Sequence, residues 1–296
     1  MADPALSLQT IAVLGAGTMG RGIAQAAALA DYSTRLYDTE PEALRTAETA
    51  IDQQLAKGVD KGKIERAAAA RARESLALHG ALAPAVADAD LVIEAAPESI
   101  QLKIDLFKAA ALHAPPGAIF ASNTSALSIT EMGSASERPQ RFCGMHFFNP
   151  VHAMKLLELV RGLETSEETL DACRAVGEKM GKTVVVVADV PGFATSRINA
   201  LIGNEAFRML EQGVASAADI DQAVKLGLNH PMGPFEMVDL VGLDVRLSIL
   251  EHLHATLGEA FRPTNLMRRY VQSGRLGRKV GRGVYLYDDE GKKLSQ

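Results

Sequence analysis

The sequence contains no tryptophan, and aromatic residues make up only 5% of its 296 residues. Proteins that bind single-stranded nucleic acid stack the bases on aromatic side chains, so this composition argues against such a function. The net charge of −5 argues the same way, because nucleic-acid-binding proteins usually carry excess positive charge. We therefore expect no nucleic-acid partner.

Long hydrophobic segments and cysteine clusters are also missing. No uninterrupted apolar run reaches the length of a transmembrane helix, and residues 1–8 lack the features of a signal or transit peptide. The two cysteines, Cys143 and Cys173, are too few for a disulfide framework or a cysteine metal cluster. These absences predict a cytoplasmic protein with no membrane association and no metal site.

The first 189 residues alternate short apolar runs with helix-like runs. This alternation is typical of an α/β fold, a Rossmann-like, doubly wound and mostly parallel sheet with helices on both faces. Helix-like stretches include 41–57, 61–73 and 100–113. The predicted strands are 10–14, 34–38, 90–95, 118–122, 141–146, 155–160 and 183–187.

The pattern changes near residue 189, and from there the apolar residues recur with a helical period. We predict helices over 198–212 and 234–257, and a helix that starts at Ser216 as N-cap with Asp219 three residues later. The sequence therefore predicts two domains, 1–189 and an all-helical C-terminal domain at 190–296. The second domain is expected to close one wall of an active-site cleft.

A glycine fingerprint, Gly15-x-Gly17-x-x-Gly20, follows the first strand and opens a helix. In dinucleotide-binding folds these glycines make the tight turn, admit the pyrophosphate and let the helix pack closely. Asp38 ends the next strand, where an acid accepts the ribose hydroxyls and repels a 2′-phosphate. The pattern predicts NAD as cofactor, and the alternative is an ordinary glycine-rich turn with a solvated Asp38.

His146 ends a predicted strand, where open α/β sheets bind ligands. Glu158 is a lone acid in the apolar run of another strand, and burying it unpaired would be costly. We therefore expect a His146–Glu158 pair in which the imidazole acts as a general base. The alternative is a structural buried pair, and His152, the nearest competing histidine, is interpreted as a loop residue.

Together with the segments given next, these residues show that the chain resembles the L-3-hydroxyacyl-CoA dehydrogenase family over nearly its whole length. The resemblance is strongest to the short-chain bacterial members. The matching segments are GAGTMGRGIA at 15–24, LVIEA at 91–95 with Glu98, ASNTS at 121–125, HFFNP at 146–150, MKLLEL at 154–159, PGF at 191–193, NHPMGPFE at 229–236 and GRKVGRGVY at 277–285.

The resemblance implies reversible, NAD-dependent oxidation of (S)-3-hydroxyacyl-CoA, with 3-hydroxybutyryl-CoA as the expected substrate, to 3-oxoacyl-CoA. It implies that His146 is the catalytic base, that Glu158 orients it and that Ser125 contacts the substrate hydroxyl. Without the resemblance, Glu98 could be a solvated acid at a helix start and Lys103 a surface lysine. The positions that match family contacts to NAD are Gly15, Gly17, Thr18, Met19, Gly20, Asp38, Glu98, Lys103, Ser125 and Asn149.

The resemblance also implies an acyl-CoA partner and a homodimer formed through the C-terminal helical domain. Lys57 and Lys61 are the nearest matches to the family's contacts with coenzyme A, and Lys63 is a further option. The alternative is that these lysines are solvated charges on a surface loop.

Ser196 departs from the family pattern, because many members have asparagine directly before the arginine that is Arg197 here. Ser196 could perform part of the role of that amide in catalysis, a water could fill the gap, or Asn199 could take over. A fourth interpretation makes Ser196 the N-cap of the helix predicted from residue 198.

Two other functions remain open at the level of sequence. One is a related NAD-dependent dehydrogenase of a free hydroxy acid or sugar acid, which would need no site for coenzyme A. The other is a non-catalytic, NAD-binding structural protein of the same fold, which would need no oriented base.

Overall fold

A computed structural model describes residues 8–294 of the chain. The chain divides into two compact units between Val190 and Pro191, one residue beyond the boundary expected from the sequence. The interpretation of residues 1–8 as neither a signal nor a transit peptide concerns mainly residues 1–7, which lie outside the described residues.

The first unit is built on a single sheet. Strand order across the sheet is β3-β2-β1-β4-β5-β6-β7-β8, and every neighbouring pair is parallel except β6 and β7. The mostly parallel, doubly wound fold predicted from the sequence is thereby confirmed. In the described part of the chain the eight strands are β1 (Thr10–Leu14), β2 (Ser33–Tyr37), β3 (Leu76–His79), β4 (Leu91–Glu94), β5 (Ile119–Ser122), β6 (Phe142–Phe147), β7 (Leu156–Arg161) and β8 (Thr183–Ala188).

The core of the first unit surrounds β1 and β4 at the centre of the sheet. Every residue from Ile11 to Leu14 and from Leu91 to Glu94 is buried, although successive side chains point to opposite faces. Both faces are therefore covered, which explains the nearly continuous apolar runs. The helices of this unit are α1 (Thr18–Leu29), α2 (Pro41–Asp60), α3 (Arg66–Glu74), α4 (Leu82–Val86), α5 (Ile100–Ala111), α6 (Ile129–Ala135) and α7 (Glu167–Lys179), with a 3₁₀ turn at Pro139–Arg141.

Two predictions for the first unit were wrong. The helix predicted over 61–73 begins only at Arg66, because Gly62 has a φ of +64° and the chain turns after α2. Strand β3 was not predicted, because a four-residue segment directly after a helix shows too little alternation to be recognised.

The second unit is helical, with isolated β-bridges near residues 277–293. The Ser216 side chain accepts a hydrogen bond from the Asp219 N–H at 3.1 Å, as the predicted cap requires. The single helix predicted over 234–257 is wrong, because Gly242, with a φ of +105°, separates two helices. The helices are α8 (Thr195–Glu211), α9 (Ala217–Gly227), α10 (Pro234–Val241), α11 (Leu243–Leu257) and α12 (Asn265–Gln272), with 3₁₀ turns at Glu259–Phe261 and Arg278–Val280.

Candidate active site

The glycine fingerprint forms the loop between β1 and α1. Gly15 has a φ of +104°, and its N–H donates to the last carbonyl of β2 at 2.7 Å. A Cβ on Gly20 would lie 1.7 Å from the Gly15 carbonyl oxygen, so only glycine allows this close approach. A Cβ on Gly17 would meet nothing within 4 Å. This open side, together with the N–H groups at the start of α1 around Thr18 and Met19, fits a pyrophosphate.

Asp38 lies directly after β2 and against the glycine loop. Its Oδ2 accepts a hydrogen bond from the Ala16 N–H at 2.7 Å, and its Oδ1 accepts one from the Glu40 N–H at 3.0 Å. A carboxylate offers about four acceptor positions, so Asp38 retains capacity for the hydroxyls of a ribose. Its location at the carboxyl end of β2 is where this type of fold binds the nucleotide sugar.

Strands β6 and β7 hold His146 and Glu158 directly opposite each other. His146 Nδ1 lies 2.8 Å from Glu158 Oε2, and the two side chains are 9% and 1% exposed. A carboxylate on Nδ1 fixes the tautomer of the imidazole and stabilises its protonated form. The Phe148 ring packs against the imidazole with 4.5 Å between ring centroids. The structure therefore brings together the two residues that the sequence paired.

Three further predicted site residues meet where β4 and β5 end. Lys103 Nζ lies 3.3 Å from Glu98 Oε2. Glu98 Oε1 accepts hydrogen bonds from Ser125, at 3.1 Å from the N–H and 3.4 Å from the hydroxyl. Lys103 is only 1% exposed, so the surface-lysine interpretation does not fit it.

The sequence analysis missed Glu94 and Ser122 in the same region. Lys103 Nζ donates to Glu94 Oε1 at 2.6 Å, and the Ser122 hydroxyl donates to Glu94 Oε2 at 2.6 Å. Burial raises the pKa of the Glu94 carboxyl, and Lys103 and the other donors oppose that rise. Glu94 could have been identified in the same way as Glu158, because both are single acids inside an apolar strand.

Asn149 and Ser196 lie in different units. Asn149 follows β6 and lines a cavity of about 370 Å³ with Thr18 and His152. Ser196 is the second residue of α8, which begins three residues earlier than expected and has Ala194 as its N-cap residue. The interpretation of Ser196 as the N-cap is therefore wrong, and its proposed part in catalysis stays a prediction.

A lysine-rich cavity of about 500 Å³ lies beside α1 and α2. Lys57 and Lys61, the nearest matches to the family's contacts with coenzyme A, line it together with Lys63. Lys179 and Lys182, which the sequence analysis missed, approach it from the end of α7. Among the residues that line this cavity, all within the described chain, none is acidic, so its electrostatic character suits an anion.

Lys57 and His152 also line the cavity that contains Asn149, so the two cavities are neighbours. His152, interpreted from the sequence as a loop residue, does lie in a turn, but the turn faces both cavities.

Within residues 8–294, no three His, Cys, Asp or Glu side chains are arranged to hold a metal ion. Over the same residues, no helix is both long and apolar enough to span a membrane.

Comparisons with known protein families match both units. Residues 10–190 match the model described as "3-hydroxyacyl-CoA dehydrogenase, NAD binding domain". Residues 192–287 match the model described as "3-hydroxyacyl-CoA dehydrogenase, C-terminal domain".

Individual relatives align over nearly the full length of the chain. The "Probable 3-hydroxybutyryl-CoA dehydrogenase" of Bacillus subtilis is 46% identical, over 96% of this chain and 99% of its own. The "3-hydroxybutyryl-CoA dehydrogenase" of Bradyrhizobium diazoefficiens is 42% identical, over 95% of this chain and 96% of its own. The crystal structure of (S)-3-hydroxybutyryl-CoA dehydrogenase from Ralstonia eutropha superposes with a TM-score of 0.92 at 40% identity, covering 96% of this chain and 100% of that one.

Proposed function

The chain belongs to the 3-hydroxyacyl-CoA dehydrogenase family of NAD-dependent oxidoreductases, and from this premise we propose that it acts on (S)-3-hydroxybutyryl-CoA. The names of its bacterial relatives and of the Ralstonia eutropha enzyme support a short acyl chain. The observation that carries the proposed mechanism is the contact of 2.8 Å between His146 Nδ1 and Glu158 Oε2.

In this mechanism His146 acts as the general base. Because Glu158 holds Nδ1, Nε2 is the ring nitrogen that takes the proton from the C3 hydroxyl of the substrate. Glu158 stabilises the imidazolium that results, and it fixes the ring so that Nε2 keeps its direction. NAD⁺, when bound, would supply the acceptor for the hydride that leaves C3. Oriented general-base catalysis of this kind contributes about 10²–10⁴-fold in rate.

The residues that would hold NAD form two groups. Gly15, Gly17, Gly20 and the start of α1 bind the pyrophosphate, and Asp38 binds the adenosine ribose. The second group lies toward the nicotinamide and consists of Glu98, Ser125 and Asn149, with the buried Lys103 behind Glu98. Ser125 belongs to this group through Glu98, to which its hydroxyl donates at 3.4 Å, and the oxygen of that hydroxyl would contact the C3 hydroxyl of the substrate.

The lysine-rich cavity would bind coenzyme A. Coenzyme A carries a diphosphate and a 3′-phosphate, and the exposed Lys57, Lys61 and Lys63 can meet them. Lys182 Nζ instead donates to the Val151 and Met154 carbonyl oxygens, and Lys179 Nζ lies over the Tyr32 ring. The neighbouring cavity extends from Lys57 to Asn149, three residues after His146 in the chain, and would accommodate the pantetheine. A free hydroxy acid carries one carboxylate and no phosphate, so a cavity lined by several lysines favours the thioester of coenzyme A.

The proposal extends to a cytoplasmic homodimer formed through the second unit. Leu226 and Leu228, at the end of α9, are 75% and 67% exposed, and apolar side chains exposed together are typical of an interface. Both cysteines are free thiols, which suits a reducing compartment. Sedimentation velocity should show a dimer that Leu226→Lys weakens and the control Leu163→Lys, on the first unit, leaves intact. A monomeric wild type would contradict the dimer.

The test of function compares acetoacetyl-CoA with free acetoacetate as oxidants of NADH, followed by the near-ultraviolet absorbance of NADH. We expect turnover with the thioester and little with the free acid. The double variant Lys57→Met/Lys61→Met should raise KM for acetoacetyl-CoA and leave KM for NADH unchanged. Turnover of the free acid with no preference for the thioester would overturn the proposal.

A further inference from the structure

Glu94 is a fully buried carboxylate at the end of β4 to which the proposed mechanism gives no role. It is 0% exposed, and a buried acid is tolerated only where hydrogen bonds satisfy it. Three donors do so, Lys103 Nζ at 2.6 Å, the Ser122 hydroxyl at 2.6 Å and the Ala96 N–H at 2.5 Å. Glu94 is therefore the buried end of a network of hydrogen bonds.

Lys103 Nζ makes three polar contacts within the protein. It donates to Glu94 Oε1 and to the Ala96 carbonyl oxygen at 3.1 Å, and it forms an ion pair with Glu98 Oε2 at 3.3 Å. Since Lys103 is also buried, it acts on a bound molecule through the groups that it holds, which are Glu98 and the Ala96 carbonyl.

Glu98 connects this hydrogen-bond network to the segment that follows β5. While its Oε2 faces Lys103, its Oε1 accepts from the Thr124 hydroxyl and from the Ser125 N–H and hydroxyl. Glu98 is 42% exposed, so this carboxylate is the point where the network reaches the surface of the site. The contacts run without a break from Glu94 through Lys103 and Glu98 to Ser125.

We propose that Glu94 is a positioning residue for the nicotinamide half of the cofactor, acting through Lys103 on Glu98 and Ser125. This inference rests on the proposed function, because it takes the ends of β4 and β5 as the nicotinamide side of the site. A buried ion pair often contributes little to stability compared with apolar residues of the same volume. Beyond any contribution to folding, the pair fixes Lys103 beside Glu98, and this geometry is the role that we assign to it.

The test compares binding of NADH with binding of ADP-ribose, which has the same adenosine and diphosphate but no nicotinamide. Glu94→Gln should weaken NADH binding about tenfold, as expected for a lost hydrogen bond to a charged group, and leave ADP-ribose binding unchanged. Glu131→Gln is the matched control, because it removes an exposed acid from the same unit, and it should change neither Kd. Isothermal titration calorimetry measures both constants on folded protein.

A second variant covers the possibility that Glu94→Gln does not fold. Ser122→Ala removes one of the three donors to Glu94 and keeps the ion pair, so it should weaken NADH binding in the same selective way and by a smaller factor. Equal losses for NADH and ADP-ribose, or no loss with either variant, would overturn the inference.

The same data separate this inference from the proposed function. If the wild type binds NADH no more tightly than ADP-ribose, the nicotinamide is not held here and the proposed site fails with it. If the wild type shows the difference and Lys103→Met removes it while Glu94→Gln and Ser122→Ala do not, Lys103 acts alone and only the inference is wrong.

Discussion

The Asp38 side chain joins the glycine loop to the residue that precedes α2. Its oxygens accept from the Ala16 and Glu40 N–H groups, which holds the negative charge at a fixed position beside the glycine loop. A charge held in this way cannot turn away from a second anion, so it discriminates between ligands that differ by one phosphate.

We therefore predict a preference for NADH over NADPH of about tenfold or more in kcat/KM, because like charges in contact cost several kcal/mol. Asp38→Asn should bring the ratio of kcat/KM for NADH to that for NADPH closer to one. The amide keeps an acceptor for the Ala16 N–H, and it no longer repels the 2′-phosphate. Steady-state kinetics with both cofactors measure the ratio. Equal efficiencies for the wild type would contradict the prediction.

The second prediction concerns His146 and Glu158 as one unit. His146→Gln should lower kcat by about 10²–10⁴-fold and leave NADH affinity nearly unchanged, because the base acts only in the chemical step. Glu158→Gln should also lower kcat, since the imidazolium loses its counter-charge. The double variant should be barely slower than the slower single variant. Losses that multiply would mean that the two residues act independently.

The third prediction concerns Ser196, which lies within the first turn of α8. If its hydroxyl assists the substrate, Ser196→Ala should lower kcat/KM roughly two- to tenfold, the value of one neutral hydrogen bond. Ser196→Asn should retain activity if the pocket has room. A lower Tm with unchanged kinetics would remove Ser196 from the catalytic set, so the two quantities are measured together.

Single residues could be predicted from the sequence where the signal is local. The glycine spacing and the lone acid at Glu158 each lie within one segment of chain. Lys179, Lys182 and His152 could not be assigned to the lysine-rich cavity, because only folding brings α7 and the turn after β6 beside α2. Ser122 gave no signal, since a serine at the end of a strand is ordinary.

At the scale of one element, α1 depends on how closely its first turn approaches the end of β1. We predict that Gly20→Ala lowers Tm and abolishes NADH binding, because the added Cβ would lie 1.7 Å from the Gly15 carbonyl oxygen. Gly17→Ala is the matched control, since its Cβ meets nothing within 4 Å. It should keep the wild-type Tm and weaken NADH binding by occupying the pyrophosphate side. An unchanged Tm for Gly20→Ala would contradict this account.

The elements themselves were largely predictable because apolar runs of the first unit keep a clear period. Two of the errors in helix bounds share a cause. At Gly62 and Gly242 a glycine with positive φ divides a run that continues to read as helical, because the backbone turns without interrupting the apolar pattern. A sequence pattern reports which side chains are buried, and it does not report a change in backbone direction.

At the scale of the whole molecule, the stability of the second unit should depend on Glu236. Burial alone would raise the pKa of this carboxyl, but hydrogen bonds from Lys293, the Gly233 N–H and Lys225 outweigh it and lower the pKa to about 2. An unfolded glutamate titrates near pH 4.3. The stabilisation is therefore complete above that pH and is lost as the pH falls toward the folded value.

We predict that Glu236→Gln lowers Tm near neutral pH, that the difference from the wild type narrows as the pH falls below about 4.3, and that it disappears only below about pH 2, where the Glu236 carboxyl is protonated as well. Thermal melts of both proteins from neutral pH to below about pH 2 measure how this difference in Tm changes with pH. Glu290→Gln, an exposed acid of the same unit, serves as the control and should follow the wild type. A difference in Tm that stays constant with pH would mean that the charge of Glu236 is irrelevant.

The antiparallel pairing of β6 with β7 has a consequence for how such an enzyme can change over generations. His146 and Glu158 belong to neighbouring strands joined by one turn, so the acid–base machinery is encoded in a contiguous stretch, residues 142–161. The glycine loop and Asp38, which would hold the adenosine half of NAD, are encoded separately, ahead of residue 40. A change confined to residues 142–161 can therefore alter the acid–base pair and leave that half of the cofactor site untouched.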